Sequence, residues 1–342
     1  MKKIKVAING GGRIGRAFFR IAHEREDIEV VAINDLGNID NIAYLLRYDT
    51  TYGPSGFEIK VASDKKSMNV DGDEVKFLSE KDPTNLPWKD LEVDVVVEST
   101  GFFTSFEKAR AHVTAGAKKV VITAPAHGDA SAADEGTILM GVNCDSLKDM
   151  VVTSNASCTT NAGSPILEIL RKTVGIEKAI LDTVHAMTAS QSIVDSMNSK
   201  DFKEGRAASQ NIVPTKTGSA EALTKAIPDL VGKFDGLAMR VPIIVGSIAD
   251  ITFISSKNTT VEEINDILRN ASKDKHWEKI FSVVEDPVVS SDIVGSKFAS
   301  IADLTLTRVV DGNLVKVMAW YDNEMGYTYS LMEHVVKTAS FL

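Results

Sequence analysis

Cysteine is scarce in this chain of 342 residues, which has only Cys144 and Cys158. Two thiols cannot build a disulfide framework, and neither sits at a metal-ligand spacing, so a reducing compartment, the cytoplasm, is expected and no metal site. Long apolar runs are missing too. None approaches the ~18 residues of a spanning helix, and Met1-Lys2-Lys3 runs directly into Ile4-Lys5-Val6-Ala7-Ile8, without an apolar leader segment or cleavage site. Nor is there an excess of positive charge: 38 Lys and Arg stand against 47 Asp and Glu, a net charge of −9. This argues against membrane or nucleic acid as the main partner, and any anionic ligand must be held by a local cluster. What is present, 44% hydrophobic and 25% charged residues without low-complexity tracts, is an ordinary globular composition. The length predicts two domains, each with its own core.

Ile4 to Ile8 reads as a short apolar strand and Ala17 to Ala22 as a helix. Between them stands Asn9-Gly10-Gly11-Gly12-Arg13-Ile14-Gly15-Arg16. Gly10, Gly12 and Gly15 form G-x-G-x-x-G in the strand–turn–helix setting of a dinucleotide cradle: one glycine for the turn, one for approach of a pyrophosphate, one for close helix packing. The anion would rest on the helix N-terminus. A second strand, Glu29 to Asn34, ends at Asp35, twenty residues past Gly15. An acid there accepts from ribose hydroxyls and repels a 2′-phosphate, which points to NAD. Further strand-like runs at Val93–Glu98 and Lys119–Thr123, separated by a helical stretch from Glu107 to Ala115, predict a mostly parallel sheet with helices on both faces. By spacing alone Lys81 and Thr123 are either cofactor-edge or solvated loop residues.

Cys158 stands in Ser154-Asn155-Ala156-Ser157-Cys158-Thr159-Thr160-Asn161, followed by the helical run from Pro165 to Lys172. A thiol near a helix N-terminus has its pKa lowered and gains N–H groups able to hold an oxyanion; the alternative is a core cysteine. His185 ends a strand-like run and could pair with Cys158 as acid–base catalyst, unless it is one of the structural histidines among the six. Thr188 and Ser190, at period two in an extended segment, face the same way and suit a phosphate or simply a polar strand face. Arg240 is a charge in the apolar strand Gly236–Pro242, which an anion partner explains. Arg206 could be an ordinary surface residue. Thr217-Gly218, before a helical Ser219–Ile227, is a further candidate anion site, and Asn323 contacts a ligand amide or forms a turn. Alternating runs at Asp250–Ile254 and Leu314–Trp320 suggest an antiparallel sheet here, with an exposed helix at Val261–Lys273.

Along nearly its whole length the chain resembles the phosphorylating glyceraldehyde-3-phosphate dehydrogenase family, on Asn9–Arg16, SNASCTTN at Ser154–Asn161, His185 with Thr188, Thr217-Gly218, Arg240-Val241-Pro242 and WYDNEMGY at Trp320–Tyr327. The resemblance implies an N-terminal Rossmann domain at residues 1–157, with the C-terminal helix, about 324–342, packing back on it. It implies an α+β catalytic domain at residues 158–323 with a mixed, largely antiparallel sheet, and a homotetramer. It assigns Cys158 as nucleophile and His185 as its activator. Ser157, Thr159, Arg206, Thr217 and Gly218 would bind inorganic phosphate, and Thr188, Ser190 and Arg240 the phosphate of glyceraldehyde 3-phosphate. Arg13, Ile14, Asp35, Lys81, Thr123 and Asn323 match NAD-contacting positions. Departures from the family pattern are Gly11, Ala162, Ser190, Ser196-Met197 and Ile243–Gly246. Ser196-Met197 relaxes exclusion of a 2′-phosphate, and Asp35 opposes it, so an NAD enzyme with weak NADP use is expected. The alternatives within the resemblance are erythrose-4-phosphate dehydrogenase and a catalytically silent NAD- or RNA-binding relative; the Thr188 region disfavours the first, and intact Cys158 and His185 the second.

Overall fold

The computed structural model describes residues 3–199 and 201–342. The Met1-Lys2 start, on which the reading of the N-terminus drew, lies outside the described residues. The chain forms two compact units. One comprises residues up to Ile138, Asn143–Ala156 and Leu331–Leu342; the other comprises Leu139–Val142 and Ser157–Ser330.

The first unit holds β1 (Ile4–Asn9), β2 (Ile28–Asn34), β3 (Ile59–Val61), β4 (Ser67–Val70), β5 (Asp73–Leu78), β6 (Val95–Glu98), β7 (Lys119–Ile122), β8 (Glu135–Thr137) and β9 (Val152–Ser154). They form one sheet in the order β3-β4-β5-β2-β1-β6-β7-β9-β8. All neighbours are parallel except the β3–β4 and β4–β5 pairs at one edge. β1, β6 and β7 are near-continuous apolar runs because a parallel sheet is covered on both faces. Helix α1 (Arg13–His23) packs on β1 and β2 and beside α2 (Ile39–Arg47). The short α3 (Phe106–Ala109) and α4 (Ala111–Thr114) replace the single helix expected at 107–115. Phe106 and Ala109 join Trp88, Ala7, Ala32, Val96, Val120 and Val152 in one core. Truncating the fully buried Trp88 to Ala would cost about 3–5 kcal/mol on the general scale of such cavities.

The second unit begins with α5 (Cys158–Thr173) and holds β10 (Lys178–Ala186), β11 (Val213–Lys216), α6 (Ser219–Ala226), β12 (Phe234–Val241), β13 (Ser247–Ile254), α7 (Val261–Ala271), β14 (Phe281–Val284), β15 (Ser300–Val310) and β16 (Leu314–Tyr321). Its sheet runs β11-β12-β10-β13-β16-β15-β14. It is mixed and mostly antiparallel, the parallel pairs being β10–β12 and β14–β15. The division between the units falls inside the last helix, α8 (Met325–Ala339).

Helix α5 starts earlier than the Pro165 run suggests. Ser157 is its N-cap, its side chain accepting from the Thr160 N–H, and Pro165 lies inside the helix. Proline there forgoes one backbone bond, a loss set against burial of every residue from Thr159 to Leu170. α5 packs over β13, β15 and β16 and beside α6 and α7. Gly163 admits Leu181 of β10, whose Cδ1 would lie 2.6 Å from an added Cβ. On β10 the period of two turns Leu181, Thr183 and His185 to the buried side. Among the described residues no helix is long and apolar enough to cross a membrane.

Candidate active site

At the carboxyl ends of β1, β2 and β6 a cavity of about 350 Å³ is lined by Asn9, Gly10, Gly12, Asp35, Lys81 and Thr100, among others. Gly10 turns the chain at φ +105°, and a Cβ on Gly15 would lie 2.0 Å from the Gly10 carbonyl, so α1 can approach β1 only with glycine there. A Cβ on Gly12, the N-cap of α1, would meet nothing within 4 Å. Open space at a helix N-terminus is what a pyrophosphate needs. Asp35 is held in place by the N–H groups of Gly11 and Gly37, both at 2.7 Å. Arg13, by contrast, is turned to Asp49, and neither Ile14 nor Thr123 lines the cavity. The Thr123 N–H is spent on the Glu98 carbonyl.

Glu98 itself was not read from the sequence. Fully buried, it accepts from Asn9 Nδ2 at 2.6 Å, His112 Nε2 at 3.0 Å, and the N–H and hydroxyl of Thr100 at 2.8 and 2.5 Å. Trp88 donates to His112 Nδ1, which fixes the proton of that ring on Nε2, facing Glu98. Two cavity-lining residues, Asn9 and Thr100, are thereby oriented from behind.

In the second unit Cys158 is the first residue of α5, and its Sγ lies 3.2 Å from His185 Nε2. His185 Nδ1 lies 2.6 Å from the Ala186 carbonyl oxygen. With Nδ1 donating to that carbonyl, the Nε2 lone pair faces the thiol; the Arg240 guanidinium, which can only donate, competes for the same Nδ1. Arg240 is the register partner of His185 across the parallel β10–β12 pair, and its Nη1 rests against the ring at Nδ1. Its Nε is buried without a partner. Burial together with the Arg240 charge pushes His185 down to about 3. Burial pushes the Cys158 thiol up, opposed by the charge of Arg240 and by the N–H and hydroxyl of Thr159. The lowered thiol pKa expected from the helix terminus is therefore overridden, and both groups are neutral in this pocket.

Ser157 Oγ meets Thr160 Oγ1 at 2.7 Å and Ser219 Oγ at 2.9 Å, and Thr217 Oγ1 donates to Ser219 Oγ at 2.8 Å. Ser157 and Thr217-Gly218 thus converge at the N-termini of α5 and α6. Thr188 and Ser190 have their hydroxyls 3.0 Å apart. They lie in a turn closed by Gln191 N–H on the Thr188 carbonyl, not in the extended segment expected, because β10 ends at Ala186. The Thr159 hydroxyl is turned to Tyr321 Oη at 2.9 Å, and that phenol also meets Thr183 Oγ1 at 2.7 Å. Arg206 is exposed and paired with Asp195; among the described residues no hydrogen bond brings it to the Ser157 cluster. Asn323 Oδ1 accepts from Gly246 N–H and Ser247 Oγ. Thr160, Ser219 and Tyr321 were missed as site residues, although the first lies within SNASCTTN and the last within WYDNEMGY.

Residues 4–106 match the model for the NAD binding domain of glyceraldehyde 3-phosphate dehydrogenase, and residues 157–323 the model for its C-terminal domain. The chain belongs to the glyceraldehyde-3-phosphate dehydrogenase family. Curated relatives named glyceraldehyde-3-phosphate dehydrogenase include those of Clostridium acetobutylicum, 47% identical over 333 residues and 96% of both chains, and Clostridium pasteurianum, 46% identical over 98% of this chain and 99% of the relative. That of Borreliella burgdorferi is 45% identical over 96% of this chain and 98% of the relative. The glyceraldehyde-3-phosphate dehydrogenase family accounts for both halves of the chain and for the NAD cofactor read from the glycine loop and Asp35.

The buried histidines have a consequence for stability. His185 and His334 are both held down to about 3 by burial, against an ordinary 6.5. Between those values the unfolded chain binds protons that the native chain does not, so stability rises with pH: it is fully present above about 6.5 and lost on descending toward 3. Each histidine accounts for about 1.4 kcal/mol per pH unit in that window. Urea midpoints measured between pH 6.5 and 5.5, above the range of ordinary carboxylates, should fall with pH, and the slope should be shallower in His334→Gln. A flat profile would contradict the depressed values.

Proposed function

We propose that this protein oxidises and phosphorylates glyceraldehyde 3-phosphate to 1,3-bisphosphoglycerate through a covalent thioester on Cys158. The observation that carries this reading is Cys158 Sγ at 3.2 Å from the Nε2 lone pair of His185, beside an Arg240 whose buried Nε lacks a partner. Cys158 adds to the aldehyde carbon while its proton passes to His185, giving a thiohemiacetal. The developing oxyanion lies where α5 presents its first N–H groups. NAD would be held by Gly10, Gly12, Asp35 and Lys81, which line one cavity, and would supply the hydride acceptor when bound. His185 returns the thiol proton to that oxyanion, giving the thiohemiacetal hydroxyl, and takes it back as hydride leaves the same carbon, so that a thioester remains and conserves the oxidation energy. Inorganic phosphate then attacks the thioester carbonyl, and the thiolate leaves.

Two anions must be held in a protein of net charge −9. Thr188, Ser190 and Arg240 take the substrate phosphate; a dianion on Arg240 offsets the charge that disfavours an imidazolium, so substrate binding eases proton transfer to His185. Ser157, Thr217 and Gly218 take inorganic phosphate at the two helix N-termini; Thr159, whose hydroxyl is turned to Tyr321, and Arg206, paired with Asp195, would have to turn to join them. Residues 1–157 serve as the cofactor domain and 158–323 as the catalytic domain. A homotetramer is supported by large apolar side chains left exposed, such as Ile193, Val194, Met197 and Phe202, from 71% to 102% accessible. Two free cysteines fit the cytoplasm.

The test is NADH formation from glyceraldehyde 3-phosphate and NAD, with and without inorganic phosphate. Sustained turnover only with phosphate is expected, and phosphate-independent turnover, or none, would overturn the reading. Arg240→Leu should lower kcat/KM for the phosphorylated aldehyde by roughly one to two decades, the worth of a charge-assisted contact of about 1.5–3 kcal/mol. Unphosphorylated glyceraldehyde should be much less affected; equal losses on both would assign Arg240 to the Cys158–His185 pair it touches and not to the substrate phosphate.

A further inference from the structure

Helix α8 buries Leu331, Met332 and Val335 completely, yet two polar residues one turn apart on it, Ser330 and His334, are as buried, at 1% and 0% exposure. Ser330 Oγ donates to Asn161 Oδ1 at 2.7 Å. The same carboxamide donates from Nδ2 to the Ser157 carbonyl at 2.9 Å, so Ser330 fixes the residue that ties the first turn of α5 to its N-cap. His334 has opposite roles at its two nitrogens. Nδ1–H donates to Asn155 Oδ1 at 3.0 Å, and Nε2 accepts the Thr153 hydroxyl at 3.0 Å. This assignment requires a neutral ring, and burial holds the ring neutral throughout the working pH range.

Asn155 precedes Ala156, a fully buried non-glycine residue at φ +54°. Side chains rarely adopt that left-handed backbone, and it persists only where its surroundings over-determine it. Asn155 N–H on the Ile122 carbonyl, Ala156 N–H on Ser154 Oγ, and His334 on the Asn155 side chain supply that constraint. Ala156 then leads directly into Ser157 and Cys158. An apolar side chain would fill the His334 position at no desolvation cost, whereas the imidazole is kept there only by two bonds to the strand and turn that precede the cysteine.

We propose that His334 and Ser330 are positioning residues for the reaction, anchoring the two ends of the segment Asn155–Asn161 that carries Cys158. This rests on the reading of Cys158 as the nucleophile. The expectation is that His334→Leu, which keeps the volume but neither bond, lowers both kcat and the iodoacetamide labelling rate of Cys158 about ten-fold, since small misplacements of reacting groups are costly. KM for NAD should stay unchanged. His334→Gln, which keeps one donor and one acceptor, should restore most of both rates. Labelling is followed on the Cys158 peptide by mass spectrometry in the full-length protein. Ser330→Ala and Thr153→Val, each removing one hydroxyl, should show the same pattern more weakly, and they carry the test if His334→Leu does not fold. Wild-type kcat and labelling in the Leu variant, or a Gln variant as impaired as the Leu variant, would overturn the proposal. Slower labelling with kcat intact would show Cys158 held by His334 but outside the reaction, and would overturn the proposal together with the reading on which it rests.

Discussion

Cys158→Ser is expected to abolish dehydrogenase turnover while NAD binding, measured by titration, stays at the wild-type level. The reason is a proton balance. Burial pushes the thiol up, and the site reaches a sulfur nucleophile by passing the proton to His185 as the carbon–sulfur bond forms. A serine hydroxyl is a far weaker acid and a poorer nucleophile than a thiol, so an imidazole held down to about 3 by burial and by Arg240 generates far less attacking species from it. An oxygen ester would also lack the reactivity of a thioester toward phosphate. Cys144→Ser should do little, because Cys144 sits in the short helix Cys144–Asp149 of the other unit. Retention of most activity in Cys158→Ser, or faster iodoacetamide labelling of Cys144 than of Cys158, would refute the nucleophile assignment.

What could be read from the sequence was whatever is written locally. The glycine loop was legible because each position answers a steric demand of its own turn, as the 2.0 Å approach at Gly15 illustrates. Asp35 was legible from its spacing, but not the two glycine N–H groups that aim it. The Asp71-Gly72 turn, with φ of +49° and +102°, marks the β4–β5 hairpin by a dipeptide that could have been read and was not. The start of α5 was obscured by Pro165, which looks like a first-turn residue and lies in the interior because packing outweighs the lost bond. The turn at Thr188–Gln191 was obscured by an apparent alternation that outlasts the strand. Other features have no local signal at all. His185 and Arg240 are 55 residues apart and meet through strand register. Tyr321 reaches Thr159 across 162 positions, and His334 reaches Asn155 across 179. The same holds for the pKa of Cys158: the sequence displays the helix terminus and the imidazole, and conceals the burial that overrides them.

His185→Asn should lower kcat by ~10²–10⁴-fold, the usual contribution of a positioned acid–base group, and should leave measurable activity. In the wild type Nδ1–H is held by the Ala186 carbonyl, so the lone pair of Nε2 is presented to the thiol at 3.2 Å. Asparagine can still accept a hydrogen bond at that place but cannot take the proton, either from the thiol or from the hydroxyl of the thiohemiacetal. What persists is the N–H and hydroxyl of Thr159 and the charge of Arg240, all of which favour the thiolate. Residual turnover should therefore climb with pH as solvent hydroxide takes over the deprotonation. The labelling profile of Cys158 should shift in the same direction: slow near neutrality and rising only above the range of an ordinary cysteine, because burial continues to push the thiol up while the imidazole that received its proton is gone. Stopped-flow labelling across pH 6 to 10, on wild type and variant together, separates this from a general loss of structure, which would expose the thiol and speed the reaction. Unchanged kcat with an unchanged labelling profile would rule out the Cys158–His185 pair as the catalytic unit.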